Sequence, residues 1–329
     1  MRFRFGRRGI AVAAGVVVST VIASTAIAGS TAGPTYNLKK LKGSITADGS
    51  STVGPYTTAA AELFRRAGAE GVKVTVGISG TGGGFQRFCK GETDLSDASR
   101  PMRNSEAASC KTNNIGSWRA FTVANDALTV VVNQQNTWAT CLTVAEIKKI
   151  WEPGSKVNNW KDVRSSFPDV SLKLFGPGTD SGTFEYFTEA INGRARASRT
   201  DYQASEDDNV LVQGVSGERG GMGYFGYSYY IENQGRLNAV QVRNEKTGQC
   251  VAPNQGTVHN ATYKPLSRPL FVYAKGSSFK RREVQAFIDY IFDNEVAIAN
   301  RARFVSLTPV QLKRARTNFI LAVKAATRT

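Results

Sequence analysis

Three segments of this chain pass from a short apolar strand pattern directly into a helical one through glycine, serine and threonine. They read DGSSTVGP from Asp48, ISGTGGGF from Ile78 and GPGTDSGTF from Gly176. The first backbone N–H groups of a helix have no carbonyl partner one turn back, and the aligned peptide dipoles add partial positive charge there. Glycine lets a ligand approach that backbone closely, and hydroxyl side chains add donors. One such turn is an ordinary N-cap. Three of them, each at the carboxyl end of a strand, point to an anion site, because ligands of open α/β sheets bind at that edge. The nucleotide-binding versions of this device are missing: there is no GxxxxGK[ST], and GTGGGF from Gly80 lacks the third glycine of GxGxxG.

The same alternation runs along the chain. Strands are expected at residues 44–47, 72–78, 128–133, 172–175 and 269–273, and helices at 55–66, from 143, at 184–191, at 279–292 and from 309. Thr143 with Glu146 has capping-box spacing, and Thr308 caps a helix that Pro309 starts. Strands alternating with helices predict an α/β fold, and the length predicts two domains.

Arg2, Arg4, Arg7 and Arg8 precede an acid-free apolar run over residues 10–28 that closes on Ala26-Ile27-Ala28. This is the order of an export signal, with cleavage expected after Ala28 and a polar lead over residues 29–42. The rival reading is an uncleaved anchor, since a membrane span needs only ~20 apolar residues. Removing the segment takes four Arg and no acid, which lowers the formal charge from +16 to +12. A basic surface concentrates anions. Nucleic acid is disfavoured as a partner: only Lys280-Arg281-Arg282 and Lys313-Arg314-Ala315-Arg316 cluster, on helical patterns that read as solvated faces. Cys89, Cys110, Cys141 and Cys250 form an even set in an exported chain, which predicts two disulfides. Pairing Cys89 with Cys110 and Cys141 with Cys250 closes one local and one long loop, and the sequence admits three pairings. With no CxxC pair and His259 as the sole histidine, neither metal nor cofactor is expected.

The stretches ADGSSTVGPYTTAAAELF, SGTGGGFQRFCKGETDLSDASRPM, NDALTVVVN, GPGTDSGTFEYFTEAI, GGMGYFGYSYY, YKPLSRPLFVY and VSLTP follow one another across nearly all of the mature sequence. In that order they resemble the phosphate-binding proteins of bacterial phosphate ABC transporters, the PstS type within the periplasmic-binding-protein superfamily. The resemblance implies a two-lobed type II fold, each lobe a mixed sheet flanked by helices, with the ligand in the interlobe cleft. Lobe 1 would comprise residues 43–122 plus 266–329 and lobe 2 residues 123–265, with crossing segments near 121–127 and 264–270 and hinge closure on the anion. Residues 223–230, with aromatic and small residues interleaved, are expected to pack beside the cleft, and a simple buried strand would show the same pattern. The resemblance further implies a monomer that delivers inorganic phosphate to ABC permease subunits and meets the membrane only through them.

Family ligands carry over where the motifs match. Ser51, Thr52 and Val53 resemble the family's first-loop donors, Thr81 its glycine-loop donor, and Ser181, Gly182 and Thr183 its S-G-T cluster. Two positions depart. Ser99 stands where well-known members have an Asp that accepts the proton of hydrogen phosphate, and Pro177-Gly178-Thr179-Asp180 lacks the Arg many members place before S-G-T. Arg100 is the expected substitute cation, since its planar fork suits two phosphate oxygens. Selecting phosphate over sulfate needs an acceptor for the ligand's proton, and Asp48, Asp97 and Asp180 are the candidates.

Other readings on the same fold are a binder of sulfate, molybdate, tungstate or arsenate, a secreted phosphate-ester hydrolase, and an adhesin. A hydrolase would use Ser51 or Ser181 as nucleophile and would need a base. His259 lies in a polar stretch remote from the loops, and no metal ligands replace it, so no catalysis is expected.

Overall fold

The alternating Val72, Val74 and Val76 become strand β2 (Val72–Gly77), parallel to β1 (Gly43–Gly49), with Val76 opposite Ala47. On the other side of β1 lies β3 (Leu95–Ala98), also parallel, with Leu95 opposite Ala47. Parallel strands end on a common edge, so the segments after β1, β2 and β3 emerge side by side. Helix α1 (Gly54–Arg66) follows β1 with Pro55 in its first turn, where a missing N–H costs nothing, and buries Tyr56, Ala60 and Phe64. Helix α2 (Gly80–Cys89) follows β2 and packs so tightly that a Cβ on Gly84 would stand 2.5 Å from the Gly49 Cα. Only glycine lets the second loop lie this close to the first. Helix α3 (Asn104–Thr112) comes next. The computed structural model describes residues 35–179 and 181–328; residues 1–28, read above as an export signal, and Asp180 lie outside them.

The expected strand at 128–133 and the expected crossing segment at 121–127 are one element, β4 (Trp118–Asn133). Asn125 and Asp126 interrupt the apolar pattern, yet neither breaks the strand, because each buried polar group finds a partner. The Asn125 amide donates to Ser306 O at 3.1 Å, and Asp126 accepts from an arginine described below. The first half of β4 pairs antiparallel with β9 (Ser267–Lys275) and its second half with β7 (Gly221–Gly226). Strand β5 (Lys173–Pro177) lies between β7 and β6 (Gln203–Ser205), parallel to both, and β8 (Leu237–Ala239) joins β4. Among the described residues these nine strands form one sheet in the order β2-β1-β3-β9-β4-β7-β5-β6, with β8 off this path, and three short strands, Cys141–Thr143, Gln241–Arg243 and Cys250–Val251, form a second sheet.

The protein is two-lobed. One apolar core, with Ile45, Phe64, Phe121, Phe287 and Phe292, packs on β1 and the first half of β4. A second, with Trp151, Trp160, Phe187 and Tyr224, packs on the second half, where Phe187 stacks on Tyr224 at 3.6 Å between centroids. Each fully buried aromatic contributes about 1.5–3 kcal/mol of burial. Cys89 is joined to Cys110 and Cys141 to Cys250, across 21 and 109 residues. Among the described residues no helix is long and apolar enough to cross a membrane.

Three local expectations shift. The pattern over 223–230 is strand only to Gly226, the last β7 residue paired with β4, and Tyr227–Glu232 is a helix. The helix expected at 279–292 divides into a 3₁₀ turn at Ser277–Lys280 and an α-helix at Arg282–Asp293. The one expected at 184–191 starts two residues earlier as α4 (Gly182–Phe187) and continues as a π turn over Thr188–Asn192.

Candidate functional site

The first loop leaves β1 after Gly49 and is pinned by backbone bonds, Ser50 N to Asp97 O at 2.9 Å and Gly54 N to Ser50 O at 2.9 Å. Ser50 Oγ accepts from Thr52 N at 3.2 Å. Val53 is fully buried in the core and caps α1 without a side-chain bond, so what it can offer a ligand is backbone. Ser51 and Thr52 are half-buried and point across to the other lobe. Ser51 Oγ donates to Glu185 Oε2 at 3.4 Å, and Thr52 Oγ1 to Gly182 O at 3.4 Å.

In the second loop Thr81 Oγ1 lies 3.0 Å from Ser99 Oγ and accepts from Ser99 N at 3.2 Å, so the two hydroxyls form one cluster at the shared strand edge. In the third loop Ser181 Oγ caps α4 by accepting from Thr183 N at 3.1 Å. A Cβ on Gly182 would stand 2.9 Å from Thr52 N, so closure of the third loop on the first requires glycine here. The structure therefore brings Ser51 against Glu185, Thr52 against Gly182, and Thr81 against Ser99.

The aspartates named from the sequence are placed differently. Asp48 is buried and occupied: its Oδ2 accepts from Arg87 Nη1 at 2.7 Å, and its Oδ1 from Ser79 N at 3.1 Å and from the Ser79 hydroxyl. Asp97 lies beneath α1 with no exposure, accepting from Thr57 Oγ1 at 2.8 Å, while its Oδ2 has no partner. Burial pushes its carboxyl up to about 7, against the pull of the Thr57 bond. Asp180 lies outside the described residues.

Arg100 does reach the rim, but its fork is taken by Glu106 of α3, Nη1 to Oε2 at 2.9 Å and Nη2 to Oε1 at 2.7 Å. The same carboxylate accepts from Arg103 N at 2.7 Å, closing the start of α3. The bidentate pair holds Glu106 below the usual carboxylate range against its burial.

A cation not singled out from the sequence reaches the first loop instead. Arg268 of β9 donates from Nη2 to Thr52 Oγ1 at 3.0 Å and from Nε to Asp126 Oδ2 at 3.2 Å, and lies 3.5 Å over the Tyr186 ring. Its side chain is only 13% exposed and that of Asp126 7%, so the pair is desolvated and held where β9 and β4 cross between lobes. Burial raises the Asp126 carboxyl even with Arg268 beside it. A cavity of about 240 Å³ opens here, lined by Ser99, Arg100, Tyr186, Glu189 and Arg268. The available signal was an arginine inside the buried-strand pattern of YKPLSRPLFVY, where a charge needs a dedicated partner.

His259 sits with Nε2 2.9 Å from Ser306 O. Among the described residues no group of three His, Cys, Asp or Glu side chains is placed to hold a metal.

Residues 26–295 match the family model of the PBP superfamily domain. Protein SphX of Synechococcus elongatus is 47% identical over 80% of this chain and 77% of its own length. The phosphate-binding protein PstS of Staphylococcus epidermidis is 35% identical over 82% and 80%. The crystal structure of a possible phosphate binding protein from Planctomyces limnophilus superposes with a TM-score of 0.82 at 44% identity, covering 86% of this chain and 99% of that one.

Proposed function

This chain belongs to the PBP superfamily, in the family of the PstS and SphX proteins, and from that premise we propose that it is an extracytoplasmic solute-binding protein that captures inorganic phosphate between its lobes for an ABC-type importer. The observation that carries the reading is the meeting of first and third loops at Thr52 and Gly182, with the Arg268 fork on the same threonine hydroxyl. Helix-start donors, hydroxyls and one desolvated cation suit a small, multiply charged oxyanion.

In this reading Ser51, Thr52, Val53, Thr81, Ser99, Ser181, Gly182 and Thr183 surround the anion. Arg268 takes the cation role first given to Arg100, which stays paired with Glu106. The lobes divide as residues 43–122 plus 266–329 and 123–265, joined by β4 and β9. Residues 1–28 direct export and are removed after Ala28, and the two disulfides fit an oxidising compartment. The protein works as a monomer that docks on the permease subunits and does no chemistry on its ligand.

Thr81→Ala and Thr183→Ala are each expected to weaken phosphate binding by ~1–3 kcal/mol in calorimetry, through lost bonds to a charged acceptor. Unchanged affinity in both would reduce these loops to helix caps. Arg100→Ala is expected to cost less than Arg268→Ala, and the reverse order would return the cation role to Arg100.

A further inference from the structure

The cleft is rich in donors and short of acceptors. A hydrogen phosphate carries a proton that must be accepted, whereas sulfate at neutral pH carries none, so the position of one carboxylate decides between them. Ser99 fills the position from which the resemblance expected an aspartate. Asp48 is consumed by Arg87 and Ser79, Asp97 lies sealed beneath α1, and Asp126 is held by Arg268.

Glu185 remains. It stands in the first turn of α4, immediately after the Ser181-Gly182-Thr183 segment, with Oε2 3.4 Å from Ser51 Oγ across the lobe boundary. No Arg or Lys pairs with it among the described residues, unlike Glu106 and Asp48. It is half-buried, so its charge is neither fully screened nor neutralised by a partner. We propose that Glu185 is the acceptor for the ligand's proton and makes the cleft select a protonated oxyanion, phosphate or arsenate, over sulfate and molybdate. The ligand's O–H donates to the carboxylate, and Ser51 holds that carboxylate in place from the other lobe. A fully deprotonated anion meets the same oxygen as repulsion.

The inference rests on the oxyanion reading above, and its test separates the two. Calorimetry at fixed ionic strength would compare wild type, Glu185→Gln and Glu185→Asp with phosphate and with sulfate. Wild type is expected to prefer phosphate, and Glu185→Gln to lose about tenfold or more in phosphate affinity while gaining for sulfate. Glu185→Asp, which keeps the charge, should retain the preference for phosphate in part. A purely structural role for Glu185 would weaken both anions together, and an unchanged phosphate-to-sulfate ratio in Glu185→Gln overturns the assignment. Failure of wild type to bind any oxyanion would instead sink the parent reading, before any variant is compared.

Discussion

Arg268→Ala is expected to weaken phosphate binding by about 2–5 kcal/mol, the largest loss from any one side chain in the cleft. The truncation removes the donor to Thr52 Oγ1 and strips a buried carboxylate, Asp126, of its cation. An unpaired buried charge is costly, so part of the loss comes from Asp126 taking up a proton or drawing in water rather than from the missing anion contact. Arg268→Lys keeps the charge but not the fork that spans Thr52 and Asp126, nor the same stacking on Tyr186, and should fall between the two. Asp126→Asn separates the contributions, because it keeps the volume while releasing Arg268 from its partner. Wild-type affinity in a folded Arg268→Ala protein would show that the anion's cation lies elsewhere.

The second large effect concerns stability. Asp97 is held near 7 in the folded protein against 3.8 for the free side chain, because its ionised form is desolvated and Asp48 lies close by. A folded-state pKa that is raised for an acid works against the fold as pH rises. Below pH ~4 both states hold the proton and nothing is lost; between about 4 and 7 only the folded state keeps it, and stability declines; above about 7 the loss is complete. The difference corresponds to a contribution on the order of 4 kcal/mol. Denaturant unfolding at pH 5 and pH 8 should therefore show wild type losing stability, and Asp97→Asn losing less by a few kcal/mol. Asp208 and Asp289, each pushed up to about 6 mainly by burial, keep some slope in both proteins. The comparison of slopes is the test, since the asparagine leaves a buried amide donor in place of the unpartnered Oδ2. Equal slopes would mean that Asp97 is ionised in the fold.

What the sequence made legible was local. The three glycine, serine and threonine junctions follow strands and open helices because strand period, turn residues and N-cap chemistry act over a few neighbours. The Thr143 and Glu146 capping box forms with Glu146 N donating to Thr143 Oγ1 at 3.1 Å, for the same reason. The bond between Glu106 and Arg103 N also sits at capping-box spacing, and reading it would have warned that Glu106 stood ready to hold Arg100. Arg268 was hidden because its partners Asp126 and Thr52 are 142 and 216 residues away, so their meeting depends on β9 pairing with β4 between lobes. Glu185 looked like any polar residue on an amphipathic helix until the lobes placed Ser51 against it. The length of β4 was missed because Asn125 and Asp126 mimic a break, and only tertiary partners make them tolerable in a buried strand.

Three helix-start loops and Arg268 are together expected to hold a tetrahedral oxyanion, phosphate first among them. Titrating inorganic phosphate into the purified wild-type protein by isothermal calorimetry tests it most directly. A saturating one-to-one isotherm with phosphate, and distinctly weaker binding of sulfate under the same conditions, is the predicted result. No binding heat with phosphate, sulfate, arsenate or molybdate at any temperature tried would contradict it.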